Sequence, residues 1–238
     1  MTQNKDVIFL CFSSKDRNTV VKSVRYHLKN YGLSIWYDYH KLFLGDNRNY
    51  HNFYEGILLN KYAIVIISEN FFDCICANEE LEIIKHQHEI GKMHIFPILY
   101  NITASELPDR YQWLRNLIYN EVTNKTGTLL TCNQIVCKFL SDKNNSLSLR
   151  QYQTFSIDGF VKELLSVYFD ISEENINARI LTLFTIYKYL IYTNPTMDYP
   201  QYCVRAFNRI YSSTKLNLKN DWKELSILEN SLLLMISI

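Results

Sequence analysis

Apolar positions in the first 141 residues fall into short runs separated by amphipathic stretches, the alternation expected of β-α units around a parallel sheet. Val7 to Cys11 reads as the first strand. A helix follows with Val20, Val21, Val24, Leu28 and Tyr31 at helical spacing, Ser14 as its cap and Gly32 just past its end, where a left-handed residue is needed. Leu33 to Tyr37 is the second strand. A polar loop from Asp38 to Asn47 leads to a helix near Tyr50 to Leu59. Tyr62 to Ile67, apolar throughout, reads as the most buried strand and stops at Ser68. Residues 79 to 90 form a further helix closed by Gly91, and His94 to Leu99 is strand four. The region from Leu107 to Val122 is irregular with a short fifth strand near Leu117 to Val122, and Asn133 to Leu140 is a closing helix.

The periodicity then changes. Ser141 to Ser148 is a polar run with the look of a linker. Beyond it Phe160 to Phe169, Ile176 to Tyr192, Cys203 to Tyr211 and Trp222 to Met235 all carry helical spacing, and Pro195 and Pro200 separate the second from the third. The expected organisation is an α/β domain over 1–141, a linker over 142–152 and a small all-helical domain over 153–238.

Charge narrows the function classes. The 25 Lys and Arg nearly cancel the 24 Asp and Glu, so no global field gathers nucleic acid or an acidic membrane surface. No window reaches the roughly 18 apolar residues of a membrane span, and Met1 to Asp6 opens no signal peptide. The expectation is a cytoplasmic protein that engages neither membrane nor nucleic acid. The six cysteines lack zinc-site spacing and read as reduced packing residues, and His86 and His88 point to different helix faces; no metal is expected.

Ligands of an open parallel sheet sit beyond the C-terminal ends of its strands, near the point where strand order reverses. That rule selects Phe12, Ser13, Ser14, Lys15 and Asp16 after strand one, Asp38 and the loop through Gly45 and Asp46 after strand two, and Ser68 and the segment to Glu80 after strand three. The stretches Phe9-Leu10-Cys11-Phe12-Ser13-Ser14-Lys15-Asp16, Gly32 to Asp38, Leu44-Gly45-Asp46, Ile64 to Ser68 and Glu80-Leu81 follow the order and spacing of a TIR (Toll/interleukin-1 receptor) domain. Over residues 5 to 141 the chain resembles that family; the helical part resembles no family in particular.

The resemblance implies a flavodoxin-like five-stranded parallel sheet, and an enzyme of the bacterial NAD+-consuming type. Such members cleave the nicotinamide-ribose bond, giving ADP-ribose or a cyclised isomer, with NAD+ as substrate and no resident cofactor. It also implies a setting in antiphage defence, self-association through the TIR domain and helical module, and a separate effector or sensor protein as partner. The family's catalytic glutamate falls on Glu80. A carboxylate suits the reaction, because the ribosyl group passes through an oxocarbenium-like state while nicotinamide leaves as a neutral group. Placed in the first turn of its helix, Glu80 is expected to stay ionised with help from the helix dipole, whereas Glu79 projects elsewhere and is solvated.

Each rim residue carries a second reading. Glu80 also reads as an ordinary acidic helix start; Phe12 stacks on a base or packs in the core; Ser13 and Ser14 bind phosphate or ribose, or cap a helix. Asp38 and Gly45 shape the loop that also carries Leu44, and Ser68 lines the rim. Arg48, Lys15 and Lys41 are candidate pyrophosphate partners or scattered surface cations. The chain departs from the family in placing Cys11, Cys74 and Cys76 where Ser, Ser and Trp are usual, which removes a ring that would favour cyclisation. Two further functions stay open: a non-enzymatic adaptor acting through TIR-TIR association, and a receiver that binds a nucleotide without reacting it.

Overall fold

A computed structural model describes residues 7–38, 43–145, 147–215 and 221–237. Packing divides the chain into two compact units, one of residues up to Lys29 with Leu33–Cys132, the other of Asn30–Gly32 with Asn133–Ile238. Among the described residues no helix is long and apolar enough to cross a membrane.

The first unit is a five-stranded, all-parallel sheet in the order β2-β1-β3-β4-β5, formed by Val7–Cys11 (β1), Ser34–Trp36 (β2), Tyr62–Ile67 (β3), His94–Tyr100 (β4) and Asn120–Val122 (β5). β3 is central and every one of its six residues is buried, as its unbroken apolar run predicts. Register pairs Leu10 with Ile64 and Ile64 with Phe96. On one face Phe9, Cys11, Ala63, Val65 and Ile67 pack with Ile57, Leu81 and Ile84 into one apolar cluster. The alternating residues Ile8, Leu10, Ile64 and Ile66 are buried as well, so β1 and β3 are covered on both faces. Each such side chain contributes about 1.5–3 kcal/mol of transfer free energy.

The helices of this unit are Lys22–Asn30 (α1), whose last residue already counts with the second unit, Asn49–Leu58 (α2, wound in wide π turns), Glu69–Phe72 (α3) and Ile75–Glu89 (α4); Leu129–Lys143 (α5) begins in it, and from Asn133 its residues belong to the second unit. Two expectations change here. Ser14 is not a helix cap: it opens a 3-10 turn over Ser14–Asp16 and is exposed. The closing helix begins at Leu129 and runs to Lys143, because the polar run from Ser141 lies on a helix whose buried stripe ends only at Leu140. Gly56 matters to the packing of α2. A Cβ there would stand 2.8 Å from Trp36 Nε1 and 2.9 Å from Phe9 Cε2, so only glycine lets α2 lie this close to the sheet.

The second unit contains Gly159–Asp170 (α6), Ile176–Thr193 (α7), Gln201–Lys215 (α8) and Trp222–Ile236 (α9). Asp158, Asn175 and Asp221 cap α6, α7 and α9 with their side chains. Leu165, Ile180, Leu183, Ile186, Phe207, Leu228 and Leu232 are buried in this unit, and the Tyr187 and Phe207 rings stack at 4.3 Å.

Candidate active site

The strand order reverses between β1 and β3, and the chain after each strand is tied to the other by a buried carboxylate. Asp16, 2% exposed, accepts from Ser68 Oγ at 2.5 Å and from Asn70 Nδ2 at 2.7 Å. Ser68 Oγ also accepts from the Phe71 backbone N–H and caps α3. Ser13 is buried and its carbonyl accepts from the Asp16 N–H. Ser13 and Ser68 therefore belong to a latch that fixes the rim, with the Ser68 hydroxyl already engaged on both sides.

Glu80 reaches the rim from α4. The start of that helix is pinned by Asn78, whose Nδ2 donates to the carbonyls of Phe71, Phe72 and Cys74 and whose Oδ1 accepts from the Tyr111 hydroxyl at 2.5 Å. With Cys74 as the N-cap and Ile75 first in the helix, Glu80 lies in the second turn, not the first. The helix-dipole argument for its ionisation accordingly fails, since that effect fades within one turn. Ala77, Leu81 and Ile84 form the buried stripe of α4, and position 80 falls on it at the i, i+3, i+4, i+7 spacing. A carboxylate thus occupies a place where the helix would ordinarily carry an apolar side chain.

Asn52 of α2, 2% exposed, donates from Nδ2 to Glu80 Oε1 at 2.6 Å, and the Cys11 thiol at the end of β1 lies against the same carboxylate. Burial dominates the electrostatics and pushes the Glu80 carboxyl up to about 7, with the nearby Asp38 charge acting in the same direction; Asn52, Cys11 and Arg48 oppose it. Burial also raises the Cys11 thiol well above its ordinary value, and the facing Glu80 charge adds to this. Near neutral pH Glu80 is divided between its two protonation states, the range in which a carboxyl can both hold a cation and take a proton.

Arg48 stands beside it. Its Nη1 donates to Glu79 Oε2 at 2.5 Å, its Nη2 reaches the Cys76 carbonyl at 3.4 Å, and its guanidinium lies over the Phe53 ring at 4.8 Å. Glu79 is exposed but paired, and it lines a hollow of about 450 Å³ with Phe72, Ile75 and Arg110 in which Glu80 has no part. Cys76 is exposed in the first turn of α4.

A second group sits at the ends of β1 and β2. Phe12 is buried, stacked on Tyr37 at 5.9 Å, and the Arg17 guanidinium lies over both rings at 5.2 and 5.3 Å. Arg17 forms a two-pronged bond with Asp38 at 2.8 and 2.7 Å. Arg17 and Asp38 thereby close off much of the aromatic face of Phe12. Lys15 is exposed on the 3-10 turn. Leu44 and Gly45 lie in an exposed turn, Gly45 at φ 94°, closed by the Asp46 carboxylate accepting from the Phe43 N–H at 2.7 Å. Lys41 and part of the loop from Asp38 to Asn47 lie outside the described residues. Glu80, Arg48 and Cys76 are thus gathered into one place, Phe12 and Asp38 into another beside it, and Ser13 and Ser68 beneath the rim.

Asn52 and Arg17 escaped the sequence reading. Arg17 gave no signal, since its partner is set by the fold. Asn52 did: it occupies the buried side of α2 with Gly56 and Ile57, and an amide among such neighbours needs a partner.

Parts of the chain are similar to known proteins. A 102-residue segment is 32% identical to an NAD(+) hydrolase, TcpA, of Theionarchaea archaeon (strain DG-70-1), covering 42% of this chain and 30% of that protein. A 100-residue segment is 35% identical to a probable 2' cyclic ADP-D-ribose synthase, TcpO, of Methanobrevibacter olleyae, covering 42% and 29%. A 2' cyclic ADP-D-ribose synthase, AbTIR, of Acinetobacter baumannii is 28% identical over 102 residues, covering 43% and 38%. The matched segment thus spans well under half the length of these curated relatives. Among solved structures, the TIR domain of the Toll-related receptor TRR-2 from Hydra magnipapillata is 21% identical with a TM-score of 0.40, covering 48% of this chain and 82% of that one. Residues 8–129, about half of the chain, match the family described as TIR domain. The chain belongs to the TIR domain family.

Proposed function

We propose that the protein cleaves NAD+ at the nicotinamide-ribose bond, with Glu80 as the catalytic carboxylate. The observation that carries this reading is a single carboxylate on the apolar stripe of α4, turned to the sheet rim, hydrogen-bonded by buried Asn52 and held near neutral pKa by burial. A fold has no structural use for an acid there; a reaction that creates a cation does. The names of the relatives support the same substrate.

In the reaction, the C1'–N bond breaks with its electron pair passing to the pyridinium nitrogen, so nicotinamide leaves neutral without needing an acid. Positive charge develops on the ribosyl carbon and ring oxygen, where ionised Glu80 stabilises it. Water then bonds to C1' and yields its proton to Glu80, giving ADP-ribose; attack by a hydroxyl of the substrate itself gives a cyclic product by the same proton transfer. Asn52 positions the carboxylate, and Arg48 supplies positive charge beside it for the diphosphate. These steps call on no cofactor besides the substrate itself. The TIR domain is taken as 1–141 and the helical domain as 153–238, joined by 142–152, and the setting is the antiphage one implied by the resemblance.

A second element of the proposal is association between copies. The turn at the end of the Asp38 to Asn47 loop exposes Phe43 and Leu44, two large apolar side chains. Incubation of the full chain with NAD+, with chromatography for nicotinamide and mass spectrometry of the ribosyl product, tests the reading. Release of nicotinamide with a product of ADP-ribose composition or its anhydro form is expected. No release at high protein concentration overturns the enzymatic reading and leaves an adaptor acting through the exposed turn.

A further inference from the structure

A buried cation with one unpartnered N–H lines a cleft in the helical unit, apart from the Glu80 site. A cleft of about 320 Å³ is walled there by Leu149, Phe169, Trp222 and Leu233, near the lower end of the size range of small-molecule sites. Arg179 of α7 lines it while being only 4% exposed. Its guanidinium lies over the Tyr168 ring at 4.4 Å. The facing carboxylate, Glu229 Oε1, is 3.8 Å away, beyond hydrogen-bond distance, and that oxygen already accepts from the Tyr168 hydroxyl. Arg179 Nε is buried with no partner among the described residues.

A guanidinium is costly to bury unless its charge and its N–H groups are matched, and a long contact to an oxygen used elsewhere matches neither well. Its planar fork suits the paired oxygens of a carboxylate or phosphate. The apolar wall matches a different part of a ligand. Trp222 is half exposed in the first turn of α9, and Phe169, stacked on Tyr152 at 5.6 Å, carries the Arg150 guanidinium over its ring at 5.3 Å. Arg150 is itself held to Glu173 by an exposed pair at 3.2 Å, a contact weak enough to yield to a ligand.

We propose that this cleft binds a small organic anion, a carboxylate or phosphate carried on a flat apolar body, with Arg179 receiving the anionic group and Trp222 and Phe169 the body. An oxyanion at hydrogen-bond distance becomes the nearer partner of Arg179 and displaces the distant influence of Glu229. The site lies wholly within the helical unit, and its failure would leave the NAD+ reading untouched.

The test is calorimetric titration of the full chain with 1-naphthoate, 1-naphthyl phosphate and the neutral 1-naphthamide, which share one ring system. At least one anion is expected to bind about tenfold or more tightly than the amide, and which one identifies the headgroup. Arg179→Gln abolishes that preference. Trp222→Leu, at a half-exposed site that the fold does not need, weakens all three probes. Glu229→Gln keeps the acceptor for Tyr168 but removes the competing charge, so it tightens anion binding several-fold; a merely structural ion pair predicts no such gain. Should Arg179→Gln fail to fold, the other two variants decide. Equal binding of amide and anions, no binding of any probe, or anion affinity indifferent to both Trp222→Leu and Glu229→Gln overturns the proposal.

Discussion

Glu80 is held in a state that the fold alone would not choose. Its carboxyl rises from an unfolded value near 4.5 to about 7, with burial as the first cause. Between these values the native chain binds a proton that the unfolded chain has released, so stability falls as pH rises through that window. Below about pH 4.5 both states are protonated and the penalty is absent. Glu80→Gln keeps an oxygen for Asn52 and carries no charge. The variant is therefore expected to be more stable than wild type by about 1–3 kcal/mol at pH 8, with the difference vanishing near pH 4.5. Urea denaturation at both pH values checks this; a variant less stable than wild type at pH 8 would mean that the carboxylate is a structural asset. Stability sacrificed at one residue and recovered by its removal is the usual mark of a working site.

At the scale of the element, what positions Glu80 is the close seating of α2 and α4 on the sheet. Asn52 sits one turn before Gly56 on α2, and Gly56 is the residue that lets α2 approach Trp36 and Phe9. Gly56→Val is expected to cost about 1–3 kcal/mol through overpacking and to displace Asn52 from Glu80; chemical denaturation measures the first effect, and nicotinamide release the second. Unchanged stability would show that α2 can ride outward without loss. The strands were the most legible elements. β1 and β3 have the bounds their apolar runs announce, because a strand buried on both faces needs every residue apolar. The start of α4 was misplaced by four residues, since Ile75, Cys76 and Ala77 carry no cap signal and the helix is instead anchored by Asn78 reaching back to three carbonyls. The position of Glu80 was legible from its family box, and its partners were less so: Cys11 was visible as a departure, Asn52 only as an amide on an apolar face. Ser14 was misread as a cap because a 3-10 turn and a helix start look alike in sequence.

At the scale of the molecule, near-neutral charge leaves association to shape and apolar contact rather than to long-range attraction. Leu44 is fully exposed and Phe43 nearly so. If neighbouring copies meet through this turn and complete the cleft, specific activity rises with protein concentration, and Leu44→Glu lowers it several-fold at a given concentration without moving the melting temperature. A specific activity constant over a hundredfold range of concentration, in wild type and variant alike, removes self-association from the account. The helical unit enters separately, through the anion cleft around Arg179, whose probes report on it whether or not the TIR domain is active.

The central claim is that an ionised Glu80 does the chemistry. It is tested most directly by the rate of nicotinamide release from NAD+ as a function of pH, for wild type and Glu80→Gln side by side. The wild-type rate should climb as Glu80 loses its proton, with a midpoint near pH 7, and Glu80→Gln should be slower by about a hundredfold or more and lack that rise. A variant that keeps the wild-type rate and the same rising limb would contradict the account.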